Sequence, residues 1–164
     1  TRLMTDDHGR LLAALIRQES QFAPRAISHA GARAVLAVSG DGPLGVDIEQ
    51  HAPVEDGVAQ RFFSPREYAA LSGLAPEAWR AGFYRCWTRK EAVIKALGQG
   101  LSMPLDSFDV TLGPEEPAVV IRIDGDRPGD WRLAHFDPAP GWSGAVAAQT
   151  CGRDLALTWR HDAP

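Results

Sequence analysis

The chain has 164 residues, of which 45% are hydrophobic and 23% charged, with a formal net charge of −4. That length allows one domain, or two small fused ones, with a real buried core, and the composition is ordinary for a globular protein. The charge balance excludes a global basic field for nucleic acid or anionic lipid, and no apolar run approaches the ~20 residues of a membrane span.

The first residues lack the apolar stretch of a secretory signal, so a cytoplasmic setting is expected. Two cysteines, Cys86 and Cys151, form no metal spacing with the five histidines, and no disulfide is expected. Cys86 is expected to be a buried free thiol.

In chain order, the first predicted element is a helix from Asp6 to Gln18. Thr5 or Asp6 would cap it, and Leu11, Leu12, Leu15 and Ile16 would form its apolar stripe. Ile27-Ser28-His29-Ala30-Gly31 closes a short strand and turn. Ala34 to Val38 then reads as a buried strand bounded by Gly31 and by Gly40-Asp41-Gly42-Pro43. Ser28 and His29 have no Asp placed to complete a hydrolytic triad. Both could donate to a phosphate, and turn hydrogen bonding by Ser28 is the plainer alternative.

Leu44-Gly45-Val46-Asp47-Ile48-Glu49 alternates, placing Val46 and Ile48 toward a core and Asp47 and Glu49 on the other face. Two carboxylates on one strand face repel unless a positive charge lies between them. Oxygen donors of this kind suit Mg2+ together with substrate phosphate; the alternative is an exposed strand face bearing two acids.

Residues 53–75 are read as a loop and a short helix. Ser64-Pro65-Arg66-Glu67 is a capping box with Pro in the first turn, which gives Glu67 a complete structural explanation. A long helix follows, opening near Pro76 and closing at Gly98. At about 100° per residue, Trp79, Phe83, Cys86, Val93, Ile94 and Leu97 share an apolar stripe, and Lys90 falls near its middle. Tyr84, Trp87, Glu91 and Lys95 share an adjoining face, with Glu91 and Lys95 in mutual reach. A carboxylate and an ammonium beside two aromatics resemble the wall of a pocket. After a loop, segments at 108–112, 119–123, 131–136, 144–149 and 155–159 alternate as strands. They predict an antiparallel meander against the long helix, an α+β fold. His135 and His161 are read as structural or solvated.

Three pieces occur in one order: Ile27-Ser28-His29, then Gly45-Val46-Asp47-Ile48-Glu49, then Trp87-Thr88-Arg89-Lys90-Glu91-Ala92-Val93-Ile94-Lys95. The set resembles the surfactin-synthetase-type (Sfp-like) 4′-phosphopantetheinyl transferases. Their signatures are a Ser-His turn, Gly-Val/Ile-Asp-aliphatic-Glu, and Trp-Ser/Thr-x-Lys-Glu-Ala/Ser-x-x-Lys. Phe62-Phe63-Ser64 with Glu67, and Gly98-Gln99-Gly100-Leu101, are similar to the family's intervening and trailing segments.

The resemblance implies transfer of phosphopantetheine from coenzyme A to a serine of an acyl or peptidyl carrier protein, with release of adenosine 3′,5′-bisphosphate. It implies that Asp47, Glu49 and Glu91 hold Mg2+, or Mn2+, against the diphosphate. Lys95 would stabilise charge on the phosphate oxygens, and Glu91 or a water on the metal would take the serine proton. Ser28 and His29 would contact coenzyme A phosphates, and Lys90 would lie toward the coenzyme. Glu67 would support the site while capping its helix, beside Trp87. An acidic carrier helix would meet Arg61, Phe62, Phe63 and Arg66, with Arg80, Arg85 and Arg89 in reserve. Arg2, Arg10, Arg25 and Arg33 are candidates for the 3′-phosphate.

Family members carry a longer N-terminal half, a pseudo-repeat of the C-terminal half. Here about 45 residues precede Asp47. The expectation is a reduced N-terminal lobe over 1–46, one helix and short strands, packed on a complete C-terminal lobe over 47–164. A monomer is expected rather than an oligomer. Two alternatives stand beside the transferase: a non-catalytic module holding coenzyme A or a carrier protein, and a trimeric enzyme like the holo-acyl-carrier-protein synthases.

Overall fold

The computed structural model describes residues 2–6, 25–30, 33–39, 42–98, 103–153 and 157–161. Among these described residues nine strands run in chain order: β1 Arg2–Asp6, β2 Arg25–Ala30, β3 Arg33–Val38, β4 Leu44–Gln50, β5 Phe108–Val110, β6 Val120–Ile123, β7 Trp131–Phe136, β8 Trp142–Gln149 and β9 Thr158–His161. Between β4 and β5 lie helices α1 Val58–Phe62, α2 Pro65–Ser72 and α3 Pro76–Leu97. The fold is α+β, as its alternating and helical stretches predict.

The strands form three sheets, in the orders β2-β3-β1-β9, β4-β8-β7 and β5-β6. Pairing is antiparallel throughout except for β1 and β9, which run parallel. This corrects the single meander expected from the later strands. The helix expected over Asp6–Gln18 lies, beyond Asp6, outside the described residues; Thr5 and Asp6, offered as its caps, belong to β1. Nor does the sheet order follow a division at residue 46. β4 crosses that point, and β9 returns to pair with β1. Helix α1 occupies a segment expected to be loop.

β4 and β8 form the middle layer. One face of β4 presents Leu44, Val46 and Ile48 to Val35 and Ala37 of β3, with Val146 and Ala148 of β8 in the same cluster. Its other face lies against α3, as does the Ala145–Ala147 face of β8. A strand covered on both sides should read as a continuous apolar run. β4 instead carries Asp47 on its helix-facing side, buried to 3% exposure. The alternative of an exposed strand face bearing two acids is therefore excluded for Asp47.

Helix α3 begins with Pro76 in its first turn, where the missing N–H removes no intrahelical bond, and ends at Gly98 with φ 68°. That left-handed conformation favours glycine. Phe83, Cys86, Val93 and Ile94 form its buried face. Helix α2 opens with the predicted capping box: Glu67 N donates to Ser64 Oγ at 3.2 Å, and Ser64 N to Glu67 Oε2 at 3.0 Å. Both cysteines are free, Cys86 buried and Cys151 exposed. No helix of the described residues is long and apolar enough to cross a membrane.

Candidate active site at the β4–α3 seam

Gly45 sets the distance between strand and helix. A β-carbon there would stand 1.9 Å from the Ala92 carbonyl oxygen and 2.5 Å from the Ala96 nitrogen. Without one, the β4 backbone rests directly on α3. The carboxylates two and four residues along β4 are thereby delivered to the helix face that carries Glu91 and Lys95.

Asp47 is the centre of the contact. Its Oδ1 accepts from Lys95 Nζ at 2.6 Å and from Ser28 Oγ at 2.9 Å. Ser28 Oγ also accepts from Ile48 N at 3.1 Å and from Lys95 Nζ at 3.2 Å. Asp47 Oδ2 is buried with no hydrogen-bond partner among the described residues. Burial raises the Asp47 carboxyl above the usual carboxylate range, against the lowering pull of the Lys95 ammonium and the Ser28 hydroxyl.

Glu49 and Glu91 belong to the same electrostatic group. Glu49 is raised first by burial, then by the charge of Asp47 and, more weakly, of Glu91, with Lys95 opposing. Glu91 is raised by burial and by Asp47, again with Lys95 opposing. Burial and charge thus couple the three carboxylates, with the Lys95 ammonium opposing the shift of each. The donor set is all oxygen, repels itself, and includes one orphaned buried oxygen; these features fit a hard divalent cation. Among the described residues, however, no three His, Cys, Asp or Glu groups stand gathered as a ready-made metal cluster. Beside Asp47 it is the Lys95 ammonium that supplies the positive charge.

Lys90 departs from expectation. Rather than lying toward a coenzyme, its ammonium is fully buried and donates to Glu67 Oε1 at 2.7 Å and to the Phe108 carbonyl at 2.5 Å. It also lies 4.1 Å from the centre of the Phe108 ring. Glu67 Oε1 accepts Val110 N at 2.8 Å as well. The pair therefore bolts α2, α3 and β5 together, one residue away from Glu91 but inside the core. Glu67 caps its helix with one oxygen and receives Lys90 with the other.

Trp87, one turn before Glu91, stacks on Phe83 with centroids 5.9 Å apart and meets Phe62 edge-on at 6.2 Å. Phe62 is 36% exposed while Phe63 is buried, and the Arg61 guanidinium stands 5.2 Å from the Phe62 ring. Arg89, held in reserve for a carrier protein, is corrected. It is 2% exposed and donates to the carbonyl and hydroxyl of Thr111 at 2.5 and 3.1 Å. Arg85 donates to the Leu112 carbonyl at 2.6 Å. His29 sits on β2 opposite Ala34; its side chain, and those of Arg2, Arg10, Arg25 and Arg33, lie outside the described residues.

Sequence reasoning missed two features. His51 stacks on Tyr84 with centroids 4.7 Å apart and shares a 2.9 Å hydrogen bond between its Nε2 and Ser143 Oγ. The other is the bond from Ser28 to Asp47, which the strand alternation had no means of showing, since β2 and β4 are separate segments.

The 4′-phosphopantetheinyl transferase superfamily matches residues 43–151, a stretch holding Asp47, Glu49, Glu67, Lys90, Glu91 and Lys95. The chain is 46% identical over 122 residues to the 4′-phosphopantetheinyl transferase ffp of Bacillus subtilis, covering 74% of this chain and 53% of that protein. To the 4′-phosphopantetheinyl transferase HetI of a Nostoc species it is 40% identical over 128 residues, covering 77% and 52% respectively. The chain spans about half the length of the curated relatives it matches. Its fold is similar to that of Thermotoga maritima holo-(acyl-carrier-protein) synthase, with a TM-score of 0.54 at 18% identity over 66% of this chain and 63% of that one. The acids, the lysine and the glycine that lets them meet all fall within the matched stretch: the chain belongs to the 4′-phosphopantetheinyl transferase superfamily.

Proposed function

We propose that this site transfers the 4′-phosphopantetheine arm of coenzyme A to a serine of an acyl or peptidyl carrier protein. The serine oxygen bonds to the phosphorus that carries the pantetheine. The bond from that phosphorus to the bridging oxygen of the diphosphate breaks, and the bridging oxygen leaves with its electron pair on adenosine 3′,5′-bisphosphate. The observation that carries this reading is the 2.6 Å ion pair of Lys95 with the buried Asp47 at the β4–α3 seam, with Glu49 and Glu91 electrostatically coupled to it, inside the stretch that the family matches.

Phosphoryl transfer asks chiefly for positioning and charge neutralisation. Lys95, 36% exposed at its side chain, can turn its ammonium toward phosphate oxygens while its stem stays on α3. Glu91 takes the proton of the attacking serine. Its proton affinity is raised by burial and by Asp47, which brings a carboxylate closer to the range a general base needs. Asp47, Glu49 and Glu91 would hold Mg2+, or Mn2+, which when bound supplies positive charge against the diphosphate. His29 would contact the coenzyme's phosphates, and Trp87 with Phe62 would wall the entrance beside Glu91.

Apo-acyl and apo-peptidyl carrier proteins incubated with coenzyme A, Mg2+ and this protein, followed by intact mass, test the reading. A gain of one phosphopantetheine arm supports it. No gain on either carrier, with coenzyme A still bound in calorimetry, overturns it in favour of a binding module. Sizing chromatography separates the proposed monomer from a trimer.

A further inference from the structure

Another concave surface lies between the first half of α3 and the turn that joins β7 to β8. Its volume is about 490 Å3, and His51, Arg85, Asp137, Trp142 and Ser143 line it. Small-molecule sites commonly measure ~300–1,000 Å3. We infer that this cleft binds a small free oxyanion of the phosphate class, at a place that the transfer reaction proposed above does not use.

Its donors come from separate elements. Arg85 of α3 spends one N–H on the Leu112 carbonyl at 2.6 Å, and a guanidinium has five to give. Ser143 of β8 is 2% exposed, and its hydroxyl lies 2.9 Å from His51 Nε2. His51 is stacked on Tyr84 with centroids 4.7 Å apart, and its backbone N–H donates to the Gly141 carbonyl at 2.8 Å. The imidazole therefore stands fixed between helix and turn, as a precise site requires.

Charge favours an anion here. Arg80 and Arg85 both bear on His51, with Asp137 opposing them. Arg85 also bears on Arg89, one turn further along α3, where Glu116 and Asp137 oppose it. The acid of the lining is already engaged, since Asp137 Oδ1 lies 3.1 Å from His135 Nε2. Two buried atoms of this charge group, Arg89 Nε and His135 Nδ1, have no hydrogen-bond partner among the described residues. Like charges coupled in this way repel unless an opposite charge enters. A guanidinium fork meets phosphate oxygens two at a time, which suits it to supply that contact. The local excess of positive charge arises in a chain whose net charge is −4, so composition does not account for it.

Inorganic phosphate is the probe, added against chloride at constant ionic strength so that screening does not change. Binding is followed by calorimetry and by the nuclear magnetic resonance shifts of the Trp142 indole N–H and the Ser143 amide. Phosphate should move both signals saturably, in the wild type and equally in Lys95→Gln, where the β4–α3 seam has lost its ammonium. Arg85→Gln should weaken binding by about 10- to 100-fold, the worth of a hydrogen bond to a charged group. Arg80→Gln, at an exposed position, should weaken it by about two- to five-fold. Unmoved signals in the wild type overturn the inference. So does an Arg85→Gln variant that melts like the wild type and binds phosphate as tightly. Should that variant melt early, Arg80→Gln decides in its place, and unweakened binding there overturns the inference. A response lost in Lys95→Gln overturns it too, by placing the ion at the seam. Shifts caused by an apo-carrier protein but not by phosphate overturn it in favour of a protein contact.

Discussion

The α-carbon of Gly45 faces the Ala92 carbonyl across a gap that no β-carbon can enter, since one placed there would stand 1.9 Å from the carbonyl oxygen. The obstacle is helix backbone, which cannot rotate away as a side-chain tip can. Gly45→Ala should therefore destabilise the fold at the upper end of the ~1–3 kcal/mol typical of overpacking, and should prise Asp47 away from Lys95. Urea denaturation reads the first effect and transfer the second. Gly129→Ala, where nothing lies within 4 Å, serves as the control and should shift stability by less than about 0.5 kcal/mol.

Lys90→Met leaves Glu67 charged in the core without its ammonium. Loss of one member of a buried ion pair costs about 3–5 kcal/mol, and the two side chains here are 0% and 1% exposed. The double variant Lys90→Met/Glu67→Gln should recover part of that loss, because no unpaired charge remains. Additive losses in urea unfolding would mean that the two side chains are not energetically coupled.

Glu91→Gln separates stability from activity. The Glu91 carboxyl is raised by burial and by Asp47, so its ionised form is less stable in the folded protein than in the unfolded chain. The metal-free protein should gain stability as pH falls through the folded value, and the neutral amide should imitate that gain at pH 7. The thermal midpoint should rise while transfer falls by at least about 100-fold. A variant that keeps near-normal turnover would remove Glu91 from the chemistry.

Much of this was legible locally. Pro76, Gly98 and the apolar stripe define the long helix from positions within it, and Ser64 to Glu67 announce their own cap. Alternation placed Asp47 and Glu49 on one face but could not say what would cover that face, because α3 begins 29 positions after Asp47 (76 − 47). Lys90 at the centre of an apolar stripe stands where no surface lysine belongs, yet the stripe does not say that its partner is Glu67 and not a coenzyme. Glu67 already had a sufficient role as a cap, and sequence gives no hint that its second oxygen is free for another. Gly45 read only as a motif letter; its reason is the helix backbone above it. Arg89 and Phe62 look alike as surface candidates in the sequence, yet packing buries the first and leaves the second in reach of solvent.

His135 contributes an acid-sensitive share of the protein's stability, opposite in sign to that of the raised carboxylates. Burial first, and then the neighbouring Arg89 guanidinium, lower its pKa to about 4, with Asp137 pulling the other way through a 3.1 Å bond to Nε2. Above about pH 6.5 the imidazole is neutral in both states. Between there and about 4 the unfolded chain takes up a proton that the folded protein refuses, so stability is lost as the pH is lowered. The full loss is about 3 kcal/mol. Urea unfolding between pH 7 and 4.5 should show the wild type losing stability relative to His135→Phe as the pH is lowered, whatever slope the carboxylates add to both. Equal slopes would place the acid sensitivity elsewhere.

The parallel pairing of β1 with β9 joins residues 2–5 to residues 158–161. Contacts so far apart in the chain form slowly, because a long loop must close before they repay it. Among the described residues, β1 pairs on one edge with β3, made by residue 38, and on the other with β9, made only by residue 161. The partner that β9 gives β1 therefore arrives after every described element between β3 and β9 has been made, and a strand edge that waits for a late partner is one that invites wrong ones.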